Sequence, residues 1–342
     1  MRNIYAELFE KLNNGEGAVL RTWCGPSGIT KELRPASDFA APEDRDDGDI
    51  SVSVEKNGDG SAVIEERFLP RPRLFIFGGG HISLPLSRIA SMLDFDVTVF
   101  DDRPSFANKE RFPWASDVIC ESFDAIGKWI HIRRGDYAVI TTRGHRHDQD
   151  CLRTILSGPI PRYMGMIGSR RRVAIVKKEM ASEGYSPDII ARLHSPIGLS
   201  IGAVTPEEIS VAILAEIIQE KRASQEHARH GENYADMRLI GWLADKAEQD
   251  DLKDAPAAIV TILSAAGSTP REPGAKMAIL FDGSIIGTIG GGCAEAAVIR
   301  DAIDIAKNGG YAFKTVDMTD SAEDDGMVCG GNMEVLIEAI VK

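Results

Sequence analysis

The chain is short of several things, and each shortage removes a class of protein. Its 342 residues hold no apolar run long enough to cross a bilayer, so no transmembrane helix is expected and a membrane is not an expected partner. The opening MRNIYAELFEKLNNGEG carries acids and no apolar core, so it does not read as a signal peptide. Cysteine is scarce. Cys24, Cys120, Cys151, Cys293 and Cys329 are odd in number and widely spread, which argues against a disulfide framework and for a reducing cytoplasm. No C-x-x-C pair with matching histidines is present, so a zinc site is not expected. Positive charge is in deficit, with 39 Lys and Arg against 52 Asp and Glu. A net charge of −13 argues against nucleic acid as the main partner, yet leaves room for a local basic pocket.

What remains is an ordinary globular balance, 43% hydrophobic and 27% charged, at a length that suits two or three domains. The most informative stretch is LFIFGGGHIS, residues 74–83. An apolar strand ends in Gly78-Gly79-Gly80, and a helix-compatible segment starts at His81. That order belongs to a dinucleotide-binding crossover, where glycines admit a phosphate and a helix N-terminus offers free amides. Read as G-x-G-x-x-G, the third position is Ser83 and the fingerprint is imperfect. The next strand ends in Asp101-Asp102, and Asp101 stands about twenty residues beyond Gly78, where an acid would grip a ribose hydroxyl.

Strands are predicted at 73–77, 96–100, 116–119, 137–141 and 163–167, and helices at 82–93, 148–157, 170–183 and 205–222. This alternation predicts an α/β fold with a Rossmann-type, doubly wound parallel sheet over 71–222. Residues 1–70 form an α+β segment: a helix over 4–13, a strand over 18–23, and a hairpin around Asn57-Gly58-Asp59-Gly60. Residues 223–235 read as a linker. A smaller α+β unit, 236–342, has a helix (238–249), a strand (257–263), a hairpin, a helix (295–307) and a last strand (333–339). The first segment's helix followed by AVLRTW faintly echoes this unit's helix followed by AAIVTIL. That is the outline of two copies of one element, one eroded, though the match is short.

Chemistry-bearing residues gather in loops. In GTIGGGCAE, Gly290, Gly291 and Gly292 make a nest of amides, and Cys293 sits where a helix dipole favours thiolate. In VCGGN, Cys329 precedes Gly330 and Gly331. The alternative is two small hydrophobes filling tight turns. The loop GSTPREPGA offers Ser268 and Arg271 to a phosphate or carboxylate, or is a stiff surface turn. At RGHRHD, His145, His147 and Asp148 could hold a metal, or His147 or Asp148 could cap the next helix. Gly168, Ser169 and Arg170 with two further arginines read as an anion site at a helix start, or as a solvated basic face.

Taken together, FGGGHIS, DDRPSFANKERFP (with Arg103), TRGHRHD, GMIGSRRR, HSPIGLSIGAVTPEEISVAILAEI, GSTPREPGAKM, GTIGGGCAE and VCGGNMEV resemble the XdhC/CoxI family over roughly 71–222 and 255–342. The resemblance implies an accessory factor for a molybdenum hydroxylase such as xanthine dehydrogenase, with 236–342 as the XdhC/CoxI-type domain. It implies binding of molybdenum cofactor, as molybdopterin or its dinucleotide form, and help with its sulfuration alongside a cysteine desulfurase. Handover to the apo hydroxylase follows, by a maturation chaperone that forms a homodimer. On this reading Gly78, Gly79, Gly80, His81, Asp101, Arg103, His145, Gly168, Ser169 and Arg170 hold the phosphate or nucleotide end, with Ser268, Arg271 and the two glycine clusters. Cys293 and Cys329 touch molybdenum or relay sulfide. Two departures stand out: the GGGC unit follows the Rossmann unit instead of preceding it, and the turn reads G-G-G-H rather than the family's frequent G-A-G-H. The alternative is an NAD(P)-dependent oxidoreductase with Asp101 on the ribose and His145 or His194 as acid–base group. A pure interaction scaffold is a third reading.

Overall fold

The structure is a computed structural model of the chain. It describes residues 4–38, 51–223, 236–246, 257–267, 269, 271–280, 282–317 and 331–340, with 223, 246 and 293 described by their backbone only. The chain forms two compact units. One joins Met1–Pro70 with Ala228–Lys342, and the other is Arg71–His227. Among the described residues no helix is long and apolar enough to cross a membrane.

The chain begins with α1 (Ile4–Asn13), which buries Tyr5, Ala6, Leu8 and Leu12 on one face. Strands β1 (Ala18–Gly25), β2 (Gly28–Pro35), β3 (Val52–Lys56) and β4 (Ala62–Phe68) follow, in an antiparallel sheet of order β2-β1-β4-β3. The hairpin at Asn57–Gly60 is the one its turn residues predict. β2 is not predicted, because GITKELRP is charged and half-exposed. It is an edge strand held by its ladder to β1, and lysine and glutamate suit an edge.

The second unit carries β5 (Arg73–Phe77), α2 (Ser83–Met92), β6 (Asp96–Asp101), β7 (Asp117–Cys120), β8 (Tyr137–Ile140) and α3 (His145–Ile155). After them come β9 (Tyr163–Met166), α4 (Arg170–Ser182), α5 (Pro187–Ala191), β10 (Leu193–His194) and α6 (Pro206–Ala223). All neighbouring pairs are parallel and the order is β10-β9-β8-β5-β6-β7. In this order the chain runs outward from β5 to β7, then returns past β5 to build β8, β9 and β10. This is the doubly wound Rossmann arrangement, with its switch point between β5 and β8. Both faces of the sheet are covered, so β5, β8 and β9 are buried nearly end to end.

α3 starts at His145, three residues before the predicted start at 148. Gly144 is its N-cap in extended conformation, and no side chain caps it. The expected cap by His147 or Asp148 is therefore overturned. At α6, Thr205 Oγ1 accepts from Glu208 N at 3.3 Å, while Glu208 Oε2 accepts from Val204 N (2.8 Å) and Thr205 N (3.0 Å). This is a capping box, as the Thr-Pro-Glu-Glu order predicts.

The chain then returns to the first unit with α7 (Met237–Lys246), β11 (Ala257–Gly267), β12 (Lys276–Leu280), β13 (Ile285–Gly287), α8 (Gly292–Asn308), β14 (Tyr311–Asp317) and β15 (Gly331–Ala339). The antiparallel order is β13-β12-β11-β15-β14. α8 begins three residues before the predicted start at 295, within the glycine run itself. β14 is not predicted either, because it too is a half-exposed edge. One core lies between α8 and this sheet. Two more join the sheet to α1, α7 and the β1–β4 sheet.

Candidate functional site

The switch point of the parallel sheet lies at the carboxyl ends of β5 and β8, and the glycine turn sits on it. Gly78 has φ +114°, and a Cβ there would stand 2.7 Å from the Thr141 carbonyl oxygen. A Cβ on Gly79 would stand 2.2 Å from the Phe106 oxygen. Both positions therefore demand glycine. Gly80 differs, because a Cβ there would meet nothing within 4 Å. Gly78 N donates to Phe100 O at 2.7 Å, and Gly79 N donates to Asp101 Oδ2 at 2.8 Å. Arg111 Nε holds the Gly79 carbonyl at 3.1 Å. Ser83, which fills the third position of the fingerprint, ties the turn to the sheet. Its hydroxyl donates to Gly78 O and lies 2.9 Å from Thr141 Oγ1. Arg111 Nη2 also reaches the Gly80 carbonyl at 3.4 Å, so the space left open is that above the Gly80 Cα, next to exposed His81 ahead of α2.

Asp101 is 1% exposed. Its carboxylate accepts from Gly79 N (2.8 Å), Arg103 N (3.0 Å), Arg103 Nε (2.8 Å) and Arg103 Nη2 (3.0 Å). Those donors use its lone pairs, so the expected ribose contact is corrected: Asp101 fastens the glycine turn to the next strand. Spacing alone cannot separate the two roles, because both need an acid at that place. Arg103 also lies 3.6 Å over the Phe106 ring. Asp102 receives both Arg143 terminal nitrogens, at 2.5 and 2.7 Å, and this charge-assisted pair holds its carboxyl below the usual range.

His145 is exposed at the first position of α3, and His147 packs its ring 4.9 Å from that of Phe123. Asp148 is 0% exposed and is taken by Arg172, with Nε and Nη2 both at 2.6 Å, and by the Thr142 hydroxyl at 2.6 Å. The expected metal set of His145, His147 and Asp148 is thus overturned. Among the described residues no group of three His, Cys, Asp or Glu could hold a metal. Gly168 lies at the start of this α4 loop, and Ser169 caps α4 by accepting from Arg172 N at 3.3 Å. Of the three arginines, Arg172 turns inward while Arg170 and Arg171 are exposed. Gly78 to His81, Asp101 to Arg103, Arg143 to His145 and Gly168 to Arg171 therefore follow the ends of four adjacent strands. Arg111, Thr141 and Arg143 carry much of this geometry. Nothing in the spacing marks Thr141, although Arg111 lies inside the motif DDRPSFANKERFP and Arg143 inside TRGHRHD.

In the other unit, Gly290, Gly291 and Gly292 have φ of +131°, +73° and +53°. Side chains at 291 and 292 would meet open space, yet this backbone disfavours any side chain. Gly290 N donates to Thr288 Oγ1 and Gly291 N to Glu295 Oε1, both at 3.0 Å, and Thr288 Oγ1 donates to Glu295 at 2.6 Å. Cys293 is the second residue of α8. Gly331 opens β15 opposite Gly267, and Arg271 is exposed. Ser268, Cys329 and Gly330 lie outside the described residues.

Comparison with known proteins agrees with this layout. Residues 74–217 match the family model described as the XdhC Rossmann domain, and residues 252–317 match that described as the XdhC and CoxI family. YqeB of Escherichia coli K12, described as uncharacterized, is 36% identical over 152 residues, 44% of this chain and 28% of that protein. A Bacillus subtilis protein described as a probable subunit of xanthine dehydrogenase is 34% identical over 157 residues, 46% of this chain and 45% of that one. The chain thus matches less than half the length of each of these relatives. A solved structure described as a xanthine dehydrogenase from Bacillus halodurans superposes with a TM-score of 0.50 at 26% identity, over 65% of this chain and 67% of that one. The two family models together take in more than half of the residues, and the chain belongs to the XdhC/CoxI family.

Proposed function

We propose that this protein is an accessory factor of a xanthine dehydrogenase-type molybdenum hydroxylase, that it binds molybdenum cofactor, and that it assists the cofactor's sulfuration and insertion. The observation that carries the reading is the open edge at Gly80. A side chain at Gly80 would meet open space, and exposed Arg170 and Arg171 open α4 after β9, two strands from β5 in the sheet. An open glycine edge, the amide end of α2 and exposed positive charge suit a phosphate-bearing ligand. The names of the Bacillus relatives give the link to xanthine dehydrogenase. The residues present fit the phosphate end of the cofactor. Gly80, His81 and the start of α2 would hold it, with Ser169 and Arg170 at the start of α4, after β9. When bound, the cofactor supplies the molybdenum–sulfur centre that the hydroxylase needs. Cys293, at the positive end of α8, and Cys329 are assigned to sulfide or molybdenum. A cysteine desulfurase, the apo hydroxylase and a second copy of the chain complete the proposed partners.

The test is the metal content and absorption spectrum of protein purified from a host that makes molybdopterin. Molybdenum should copurify. Gly80→Val, which fills open space on a permissive backbone, should lose most of it and keep the wild-type melting temperature. Cys293→Ala and Cys329→Ala should lower it as well. Wild-type protein free of molybdenum, but changing NADH fluorescence on titration, would replace this reading with the nicotinamide one.

A further inference from the structure

The two antiparallel sheets of the first unit have the same wiring. A helix is followed by a strand and its hairpin partner, then two more strands arrive to give the orders β2-β1-β4-β3 and β12-β11-β15-β14. Registers match as well as orders. Thr22 stands opposite Lys31 between β1 and β2, and Thr261 stands opposite Lys276 between β11 and β12. Leu20 stands opposite Glu66 between β1 and β4, and Ile259 stands opposite Glu338 between β11 and β15. Aligning Thr22 with Thr261 therefore brings Leu20 onto Ile259, Lys31 onto Lys276 and Glu66 onto Glu338.

The contacts between the sheets are reciprocal under this alignment. Lys31 of the first copy pairs with Glu338 of the second at 2.9 Å, and Lys276 of the second pairs with Glu66 of the first at 2.5 Å. Each lysine also donates to its own sheet's threonine, Lys31 to Thr22 at 3.0 Å and Lys276 to Thr261 at 2.7 Å. Both threonines are 0% exposed and both glutamates 3%. The apolar contacts repeat the pattern: Cys24 with Leu263, Ile64 with Leu336 and Val52 with Tyr311 occupy matched positions in one core. Leu20 with Ile259, Leu33 with Ala278 and Phe68 with Ile340 do so in the other, where α1 meets α7. Residue i touching j while the counterpart of j touches the counterpart of i is the signature of a two-fold, self-complementary interface.

We infer that this unit is a homodimer folded into one chain: two copies of one half-domain, closed face to face and locked by the reciprocal pairs Lys31–Glu338 and Lys276–Glu66. The copies differ where the chain leaves the interface. Between β12 and β14 the second copy adds β13, the glycine nest and α8, whereas between β2 and β3 the described residues of the first hold only a short helical turn, Ala36–Asp38. Burial alone would lower the Lys31 pKa, but the Glu338 carboxylate beside it raises it. The partner this face fits is a second copy of itself, and it is supplied within the chain.

The test uses the full chain with a specific protease site replacing residues 228–235, cut after folding. The two pieces share the interface but no peptide bond, and should co-elute on size exclusion. Lys31→Glu and Lys276→Glu should each weaken their association by about a hundredfold or more, since each leaves two carboxylates buried together. The charge swaps Lys31→Glu with Glu338→Lys, and Lys276→Glu with Glu66→Lys, should each restore it, which separates loss of the lock from loss of folding. Pieces that part in the wild type, or swaps that fail while a circular dichroism spectrum shows a folded chain, would overturn the in-chain dimer. So would one pair mattering and the other not.

Discussion

Arg172 offers the sharpest test of how the rim is built. Its guanidinium grips Asp148 with two hydrogen bonds of 2.6 Å and reaches the Thr142 carbonyl at 3.0 Å. Replace it by methionine and the stem's volume survives, but Asp148, fully buried, keeps only the Thr142 hydroxyl. A buried charge left without its partner costs about 3–5 kcal/mol. For a domain of this size each kcal/mol lowers the melting temperature by about 2–4 °C. Arg172→Met should therefore lower the transition of the parallel-sheet unit by roughly 6–20 °C. Calorimetry on the full chain reads this, with the other unit as an internal reference. Adding Asp148→Asn removes the orphaned charge, so the double variant should recover part of the loss. A shift under about 2 °C for Arg172→Met, smaller than one kcal/mol would give, would refute the buried-pair argument. So would a double variant no better than the single.

Three further outcomes are expected. Gly79→Ala forces a methyl into the Phe106 carbonyl and should cost about 1–3 kcal/mol in urea unfolding, whereas Gly80→Ala should stay within about 0.5 kcal/mol of wild type; equal effects would contradict the packing of the turn. At pH 8, iodoacetamide should label exposed Cys120 but not Cys24 or Cys151, because burial raises the Cys24 thiol to about 11 and Cys151 well above its usual value; mass spectrometry of tryptic peptides decides it. Hydrogen bonding from Arg143 depresses Asp102, so this pair stabilises the fold above the unfolded carboxylate value near pH 4 and loses its effect as pH falls through the lower folded value. Arg143→Ala should accordingly show a smaller loss of stability between pH 5 and about pH 3 than wild type, by less than about 1 kcal/mol because the pair is partly exposed.

The parallel sheet was legible because its strands are buried on both faces and therefore written as near-continuous apolar runs, RLFIF, DVTVFD and YAVI. The edges were not. GITKELRP and YAFKTVD alternate too weakly to declare themselves, and they become strands only through their ladders to β1 and β15. At the rim, spacing placed an acid at Asp101 but could not show which way its carboxylate faced. Arg103, two residues on, and Gly79 N together take up that carboxylate. Likewise the RRR run reads as one charged patch, yet the helix turns Arg172 to the buried side and Arg170 and Arg171 to water. Charge patterns report composition; the direction of each side chain is decided by the partner that reaches it first.

The duplicated unit explains a mismatch of emphasis along the chain. The CoxI-type family match covers 252–317, the copy that carries the glycine nest, and leaves 1–70 outside. Yet the first copy still holds Thr22, Lys31 and Glu66 in register with Thr261, Lys276 and Glu338. A half-domain that has the interface and not the nest is a structural partner for the half that has both. Removing it would leave Lys276 and Glu338 without their partners and expose to water the apolar face that Ile259, Leu263, Ala278 and Leu336 bury. The first copy therefore closes one face of the sheet whose other face carries α8, the helix that begins in the nest.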